Sequence, residues 1–147
     1  MHLEEFDGLR LGHDAMDDEH EEFVRLVAAL RSARDDALSG PLNALAAHAA
    51  SHFAHENALM EGSGFPARAC HIDEHAAVLR SLDGVRGRLA QGDRPVVRRL
   101  VAELESWFPA HAQHLDSALA HWLCKQRLGG KPIVIRRKPQ VETDHAF

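Results

Sequence analysis

The sequence predicts an all-α protein: an antiparallel up-down-up-down four-helix bundle with an N-terminal arm and a short C-terminal tail. Apolar residues recur at three- and four-residue steps in four stretches, which are separated by turn-forming residues. Aromatic residues make up only 5% of the chain and tyrosine is absent, which disfavours a β-sandwich or barrel. The length of 147 residues suits one domain. We divide the chain into an arm at 1–15, a bundle at 16–128 and a tail at 129–147.

Two turn signals bound the first half of the predicted bundle. The first helix runs from about 16 to 38 and is stopped by the SGP sequence at 39–41. The second helix continues to about 61 and ends at the GSGFP sequence of 62–66. Short connections of this kind join antiparallel neighbours.

The second half of the bundle holds the third and fourth predicted helices. The third helix follows the GSGFP turn and closes at the glycine and aspartate of 92–93. The fourth begins near Pro95 and runs past Trp122. Pro109 lies inside it and should kink it, because proline removes a backbone donor.

Composition and charge disfavour several classes of protein. A formal net charge of -5 argues against a general nucleic-acid binder, which normally carries a basic face. Two cysteines cannot form a disulfide framework, and the N-terminus lacks the features of a secretion signal. No apolar run approaches the about 20 residues that span a bilayer. We therefore expect a soluble, cytoplasmic protein with no membrane or nucleic-acid partner.

Histidine is the outlier of the composition, with twelve residues. Several histidines occupy the helix stripe that leucine and valine occupy elsewhere, so their side chains should point at the bundle axis. Folding the chain at its turns brings five of them to about one height, together with one glutamate and one aspartate. The residues predicted to share this level are His20, His52, Glu56, His71, His75, His111 and Asp116.

A single inward histidine is more often a core residue that hydrogen-bonds a neighbour than a metal ligand. Seven polar side chains at one level are different, because burying each without a partner costs roughly 1–3 kcal/mol. A domain with about 5–15 kcal/mol of stability cannot bear that sum. The sequence therefore predicts a metal centre that satisfies these groups together.

The donor set narrows the choice of metal. A structural zinc site takes four ligands, usually with cysteine, and Cys70 and Cys124 lie off the pattern. Calcium and magnesium prefer oxygen ligands alone. Five imidazoles with two carboxylates suit a redox-active first-row metal, iron first. If both carboxylates and one oxo or hydroxo group bridge two metals, the histidines divide three and two, and one metal keeps a vacant position.

These residues resemble the hemerythrin family over about residues 9 to 123. The family pattern is a first histidine, then H-x-x-x-E, H-x-x-x-H and H-x-x-x-x-D. This pattern is met by His20, by His52 and Glu56, by His71 and His75, and by His111 and Asp116. The resemblance implies a non-haem centre of two iron ions that binds dioxygen reversibly. It further implies a six-coordinate iron on His71, His75 and His111, an open iron on His20 and His52, and bridges from Glu56 and Asp116.

Reversible binding requires a dry pocket, and four apolar residues lie about one helical turn from expected ligands. These wall candidates are Phe23, Val78, Trp107 and Phe108, for which ordinary core packing is an equally good explanation. Where the family usually has aliphatic residues after the fourth-helix histidine, this chain has Ala112 and Gln113. We include Gln113 as a pocket candidate. A polar group there favours an alternative, a sensor or redox enzyme acting on peroxide, nitric oxide or Fe(II), over a carrier without catalytic residues.

Other features near the pattern carry less information. The step from His111 to Asp116 spans about 140° on a regular helix, so we expect Pro109 or a local bulge to turn Asp116 inward. The additional histidines at 48, 55, 114 and 121 are expected at the surface or rim. For His48, which lies one turn from His52 on nearly the same face, contact with that ligand is the alternative. Cys70 is expected to be a buried bystander rather than a redox switch.

Overall fold

The computed structural model describes residues 10–127; residues 1–9 and 128–147 lie outside the described part of the chain. The helices are α1 (Asp14–Ser32), α2 (Ser39–Ser63), α3 (Arg68–Ala90), α4 (Pro95–His111) and α5 (Ser117–Arg127). A short 3-10 helix, Asp35–Ala37, precedes α2, and a π-helical turn, Ala112–Asp116, joins α4 to α5. The predicted all-α bundle is confirmed, with α4, the π-helical turn and α5 as its fourth member. The predicted tail at 129–147 and most of the predicted arm lie outside the described residues.

The bundle is antiparallel, as the contacts at one of its ends show. Each of α1, α2 and α3 packs against the next helix in sequence, and α4 also packs against α1, which closes the bundle. One apolar cluster brings together Met16 at the start of α1, Met60 near the end of α2, Ile72 near the start of α3 and Leu119 in α5. First and last turns of successive helices therefore meet. Within residues 10–127, no helix has the length and apolar character needed to cross a membrane.

The core consists of two apolar clusters with a polar layer between them. The larger cluster includes Phe23, Val27, Leu30, Leu42, Leu82 and Leu100. The smaller cluster consists of Met16, Met60, Phe65, Leu119 and Ala120. Along α1 the order is Met16 in the smaller cluster, the buried His20, and Phe23 in the larger cluster. The polar layer is therefore enclosed by hydrocarbon above and below.

The boundary between α1 and α2 differs from the prediction. Helix α1 ends at Ser32 instead of 38, and the SGP sequence at 39–41 forms the first turn of α2 instead of stopping a helix. Proline suits a first turn because its missing N–H has no helical acceptor there. Arg98 of α4 donates hydrogen bonds to the carbonyls of Leu30, Arg31 and Ala33 at 3.3, 3.0 and 2.7 Å, which satisfies the end of α1.

The chain just before α1 is tied down by a buried carboxylate. The backbone N–H groups of Leu11 and Gly12 donate to the two oxygens of Asp17 at 2.8 and 3.0 Å, and Asp17 is 1% exposed. His13 caps α1 by accepting the N–H of Met16 at its Nδ1 atom. Residues 11–13 therefore form a fixed entry to the bundle.

Gly64 ends α2 and sets the geometry of the α2–α3 turn. Its backbone is left-handed, with φ 67. The N–H of Gly64 donates to the carbonyl of Glu61, and that of Phe65 donates to Met60 at 2.9 Å. This is the Schellman arrangement, in which the flanking apolar residues, here Met60 and Phe65, also contact each other.

We expect Gly64→Ala to lower the free energy of unfolding by about 1–2 kcal/mol, because an L residue is strained in the left-handed region. Gly62 is the matched control, since it lies inside α2 with nothing within 4 Å of an added Cβ atom. Gly62→Ala should raise the free energy of unfolding by about 0.5–1 kcal/mol. Urea unfolding of both variants measures this, and the same sign for both would contradict the assignment.

Candidate metal centre

The seven side chains predicted to share one level do converge in the structure. Helix α1 contributes His20, α2 contributes His52 and Glu56, and α3 contributes His71 and His75. His111 is the last residue of α4, and Asp116 the last of the π-helical turn. All seven are between 0% and 3% exposed. The structure thus forms a buried cluster of five imidazoles and two carboxylates, hereafter the buried cluster.

A π-helical turn brings Asp116 into the buried cluster. The N–H of Ser117 donates to the carbonyl of Ala112, an i to i+5 bond that inserts one residue into the turn. On a regular α-helix a residue five positions after His111 would point away from it. With the wider turn, an oxygen of Asp116 lies 3.1 Å from Nε2 of His111. The expected local bulge is confirmed.

The donor atoms of the buried cluster approach each other without forming hydrogen bonds. Nε2 of His71 and of His20 lie 2.8 and 2.9 Å from oxygens of Asp116. Even so, the Nε2 atoms of His20, His71, His75 and His111 and all four carboxylate oxygens have no hydrogen-bond partner among the described residues. Because the distances are short and the directions unsuitable, these lone pairs face shared points in space. The donor set fits metal ions placed at those points.

The donor residues divide into two groups. Within each group, the ligand atoms all lie within 4.8 Å of one another. The three-histidine group consists of His71, His75, His111, Glu56 and Asp116. The two-histidine group consists of His20, His52 and Glu56. Both carboxylates face both sides, as their oxygen distances to Nε2 atoms show. Glu56 lies 3.1 Å from His75 and 3.3 Å from His52, and Asp116 lies 2.8 Å from His71 and 2.9 Å from His20.

Three histidines of the buried cluster donate a hydrogen bond from Nδ1, the ring nitrogen that faces away from the cluster. Nδ1–H of His52 donates to Glu19 at 2.8 Å. Nδ1–H of His75 donates to Asn57, and that of His111 donates to Glu74, both at 2.8 Å. Such bonds orient each ring and leave its Nε2 lone pair facing inward. Sequence reasoning missed all three acceptors.

A signal for two of these acceptors exists in the sequence. Glu19 and Glu74 each occupy the middle of a DEH triplet, at 18–20 and 73–75. Each glutamate therefore directly precedes a histidine of the buried cluster, yet it binds a histidine on the following helix. A search of positions adjacent to the expected ligands would have found both.

Aromatic rings pack against the outer faces of the histidines. Trp107 stacks on His111 with ring centroids 4.3 Å apart, and Phe108 meets His20 edge-on at 5.3 Å. Phe53, which sequence reasoning missed, stacks on His75 at 4.1 Å. These contacts seal the buried cluster within hydrocarbon.

Two of the five pocket candidates, Phe108 and Trp107, contact histidines of the buried cluster. Phe23 contacts Phe108 at 5.0 Å, Val78 is buried in the larger apolar cluster, and Trp107 is half-buried over His111. Gln113 is exposed, so its side chain does not line the buried cluster. The π-helical turn points Ala112 inward at 0% exposure and carries Gln113 to the outer face.

The additional histidines and Cys70 differ in part from expectation. His48 is half-buried; its ring stacks on His52 at 5.8 Å, and its Nε2–H donates to the carbonyl of Glu19. His55 is exposed, as expected, but its Nδ1–H donates to Glu19 at 2.7 Å. The histidines at 114 and 121 are exposed as expected. Cys70 is exposed, so its expected burial was wrong: it precedes the inward His71 and faces outward on α3.

Without metal, two histidines and both carboxylates of the buried cluster have pKa values far from their usual range. Burial lowers the pKa of His20 and His71, but the carboxylates of Asp116 and Glu56 outweigh burial and raise both pKa values to about 9. Burial raises the pKa of Glu56 and Asp116, but the surrounding histidines hold both well below the usual range. Burial is the main cause that lowers the pKa of His75. Without metal, the cluster therefore holds protonated histidines among ionised carboxylates, and a metal cation can take the place of the protons.

Fold and site together define a class: a four-helix bundle with a buried histidine–carboxylate cluster that can hold a metal centre. The family model for the hemerythrin HHE cation binding domain matches residues 11–123. The chain belongs to the hemerythrin family.

Curated relatives carry the name bacteriohemerythrin. The protein from Ralstonia nicotianae is 40% identical over 120 residues, covering 82% of this chain and 88% of the relative. Those from Stenotrophomonas maltophilia and Pseudomonas paraeruginosa are 27% and 28% identical, covering 78% and 79% of this chain and 76% and 78% of the relatives. No solved structure matches the chain significantly.

We expect metal affinity to rise by about tenfold per pH unit between pH 7 and 9 for each metal bound. His20 and His71, one in each donor group, have pKa values raised from 6.5 to about 9, so metal must displace a proton from each. The stability that these protonated rings contribute to the metal-free fold is present below pH 6.5 and is lost as pH rises through about 9. Competition titrations against a chelator measure the affinity, and a flat profile over this range would contradict the prediction.

Proposed function

We propose that this protein binds dioxygen reversibly at a pair of iron ions held by the buried cluster, and that it stores, delivers or senses dioxygen without catalytic turnover. The observation that carries the proposal is the unequal division of five histidines around two carboxylates whose oxygens face both groups. Three imidazoles on one side and two on the other leave one metal position with fewer protein donors. An external ligand of small size can complete that position.

The donor chemistry favours iron over the alternatives. A closed structural zinc site takes four ligands, whereas seven donor residues converge here. Calcium and magnesium select oxygen-only sites. Imidazole and carboxylate together suit a first-row metal that changes oxidation state. When bound, a pair of ferrous ions supplies reversible two-electron chemistry to dioxygen.

The chain's own residues keep the two-histidine side dry. Phe108 lies edge-on against His20, and Phe23 packs on Phe108; both phenylalanines are at most 3% exposed. Ala112, at 0% exposure, belongs to the same apolar cluster as Phe23 and Phe108 and offers no polar group. Exclusion of water and protons from this side favours release of the ligand unchanged.

The alternative of a redox enzyme or sensor loses the sequence feature that favoured it. That feature was a polar group at Gln113, whose side chain is exposed. The inward residue at this turn is the apolar Ala112. The arrangement therefore supports binding over turnover.

The test is to load metal-free protein with Fe(II) under nitrogen, expose it to air and record its absorption spectrum. We expect a charge-transfer band that forms in air and disappears on degassing over repeated cycles, with one dioxygen taken up for about two iron ions. Irreversible oxidation in the first cycle, with release of hydrogen peroxide, would instead indicate the alternative, a redox enzyme or sensor that acts on peroxide, nitric oxide or Fe(II).

Histidine variants make this experiment specific to the buried cluster. His52→Ala removes a donor of the two-histidine group and should abolish the band. His121→Ala is the matched control, because that histidine is exposed on α5. It should retain the band and its reversal.

We expect Phe108→Ala to speed oxidation of the iron-loaded protein in air, because the cavity admits water beside His20. The substitution should also lower the free energy of unfolding by about 3–5 kcal/mol. Phe65→Ala in the smaller apolar cluster is the control, with a comparable loss of stability but an unchanged oxidation rate. Following the loss of the reduced form in air-equilibrated buffer separates the two, and equal acceleration by both would rule out a local role for Phe108.

A further inference from the structure

We propose that Glu19 and Glu74 are positioning residues that act as a pair, each controlling the retention of one of the two metal ions. The inference rests on the proposed function only in requiring two metal positions, and it is independent of dioxygen binding. Neither carboxylate belongs to the two donor groups. Each lies behind a histidine that does.

Glu19 serves the two-histidine group. It follows Asp18 on α1 and precedes His20, but its Oε1 atom accepts the Nδ1–H of His52 on α2 at 2.8 Å. This bond fixes the His52 ring with Nε2 toward Glu56, at 3.3 Å. Glu19 thus connects the two helices that supply the histidines of this group.

Glu74 serves the three-histidine group in the same way. It precedes His75 on α3, and its Oε1 atom accepts the Nδ1–H of His111 on α4 at 2.8 Å. The same oxygen accepts the indole N–H of Trp107 at 3.1 Å, while Trp107 stacks on the His111 ring. The ring of His111 is therefore held at its edge by the hydrogen bond to Glu74 and on its face by stacking with Trp107.

The bundle consequently contains two helix pairs, each of which supplies the histidines of one donor group and one outer carboxylate, Glu19 or Glu74. Helices α1 and α2 hold the two-histidine group through Glu19. Helices α3 and α4 hold the histidines of the other group through Glu74. The two carboxylates face different rings, so the loss of one should affect one metal position and not the other.

The two positions differ in how many rings are held. In the two-histidine group only His52 has an outer acceptor, because Nδ1 of His20 has no hydrogen-bond partner within residues 10–127. In the three-histidine group, His111 has Glu74 and His75 has Asn57, at 2.8 Å in both cases. Removing Glu19 leaves no ring of its group with an outer hydrogen-bond acceptor. Removing Glu74 leaves one such ring, that of His75. The effect of Glu19 on metal retention should therefore be the larger.

The experiment follows removal of cobalt(II) by excess EDTA from fully loaded protein under nitrogen. The background is Trp122→Phe, which leaves Trp107 as the single tryptophan, since the chain has two. Trp107 emission reports the three-histidine position because its ring stacks on His111. Cobalt absorption reports total release, so the two positions are resolved by comparing both signals.

We expect Glu19→Ala to accelerate, by about 10–100-fold, the release phase in which Trp107 emission does not change. Glu74→Ala should accelerate the phase that carries the emission change, by a smaller factor. The Gln variants keep one acceptor oxygen and should fall between Ala and the parent protein. Glu103→Ala is the control, because Glu103 is exposed on α4 and lies outside the donor groups; it should leave both phases unchanged.

Equal acceleration of both phases by both Ala variants would overturn the proposal, since it would mean general loosening of the bundle. Unchanged release in both, or binding of a single cobalt ion, would overturn it as well. Thermal unfolding of the metal-free variants gives the structural contribution separately. Irreversible oxidation of the iron-loaded protein would reject the proposed function while leaving position-specific cobalt release intact.

Discussion

The structure depends on a layer of polar side chains that cannot satisfy one another. Five imidazoles and two carboxylates, all at most 3% exposed, lie between two apolar clusters with most of their inward atoms unpaired. Desolvation of such atoms is costly, and only an added positive charge can face every lone pair at once. In the metal-free chain protons take this role in part, because the carboxylates raise the pKa of His20 and His71 to about 9.

The rest of the architecture is arranged to keep that layer in place. Two apolar clusters prevent water from entering along the bundle axis, and aromatic rings cover the sides of His20, His75 and His111. A π-helical turn supplies the one donor that regular helix geometry would turn away. Glutamates on α1 and α3 orient rings on the next helix. These contacts hold the inner rings in the orientation that a metal centre at the buried cluster requires.

Prediction from sequence succeeded where local repetition carries the information. Helical spacing places His52 and Glu56, or His71 and His75, on one face whatever the neighbouring helix does. It failed where another part of the chain decides. Helix α1 ends at Ser32 because Arg98 of α4 satisfies its last carbonyls, a contact 65 to 68 residues away. Gln113 was a pocket candidate, but the structure leaves it exposed. The register of the π-helical turn decides this, and that register is not readable from periodicity.

The amino-acid sequence by itself determined the helical bundle, the identity of the seven inward polar residues and their common height, because these follow from periodicity and turn positions. Tertiary structure alone decided which histidines have outer acceptors and which carboxylate oxygen faces which ring. The physical reason is that a ring nitrogen is oriented by a partner on another helix, and the relative rotation of two packed helices depends on the packing of the whole core.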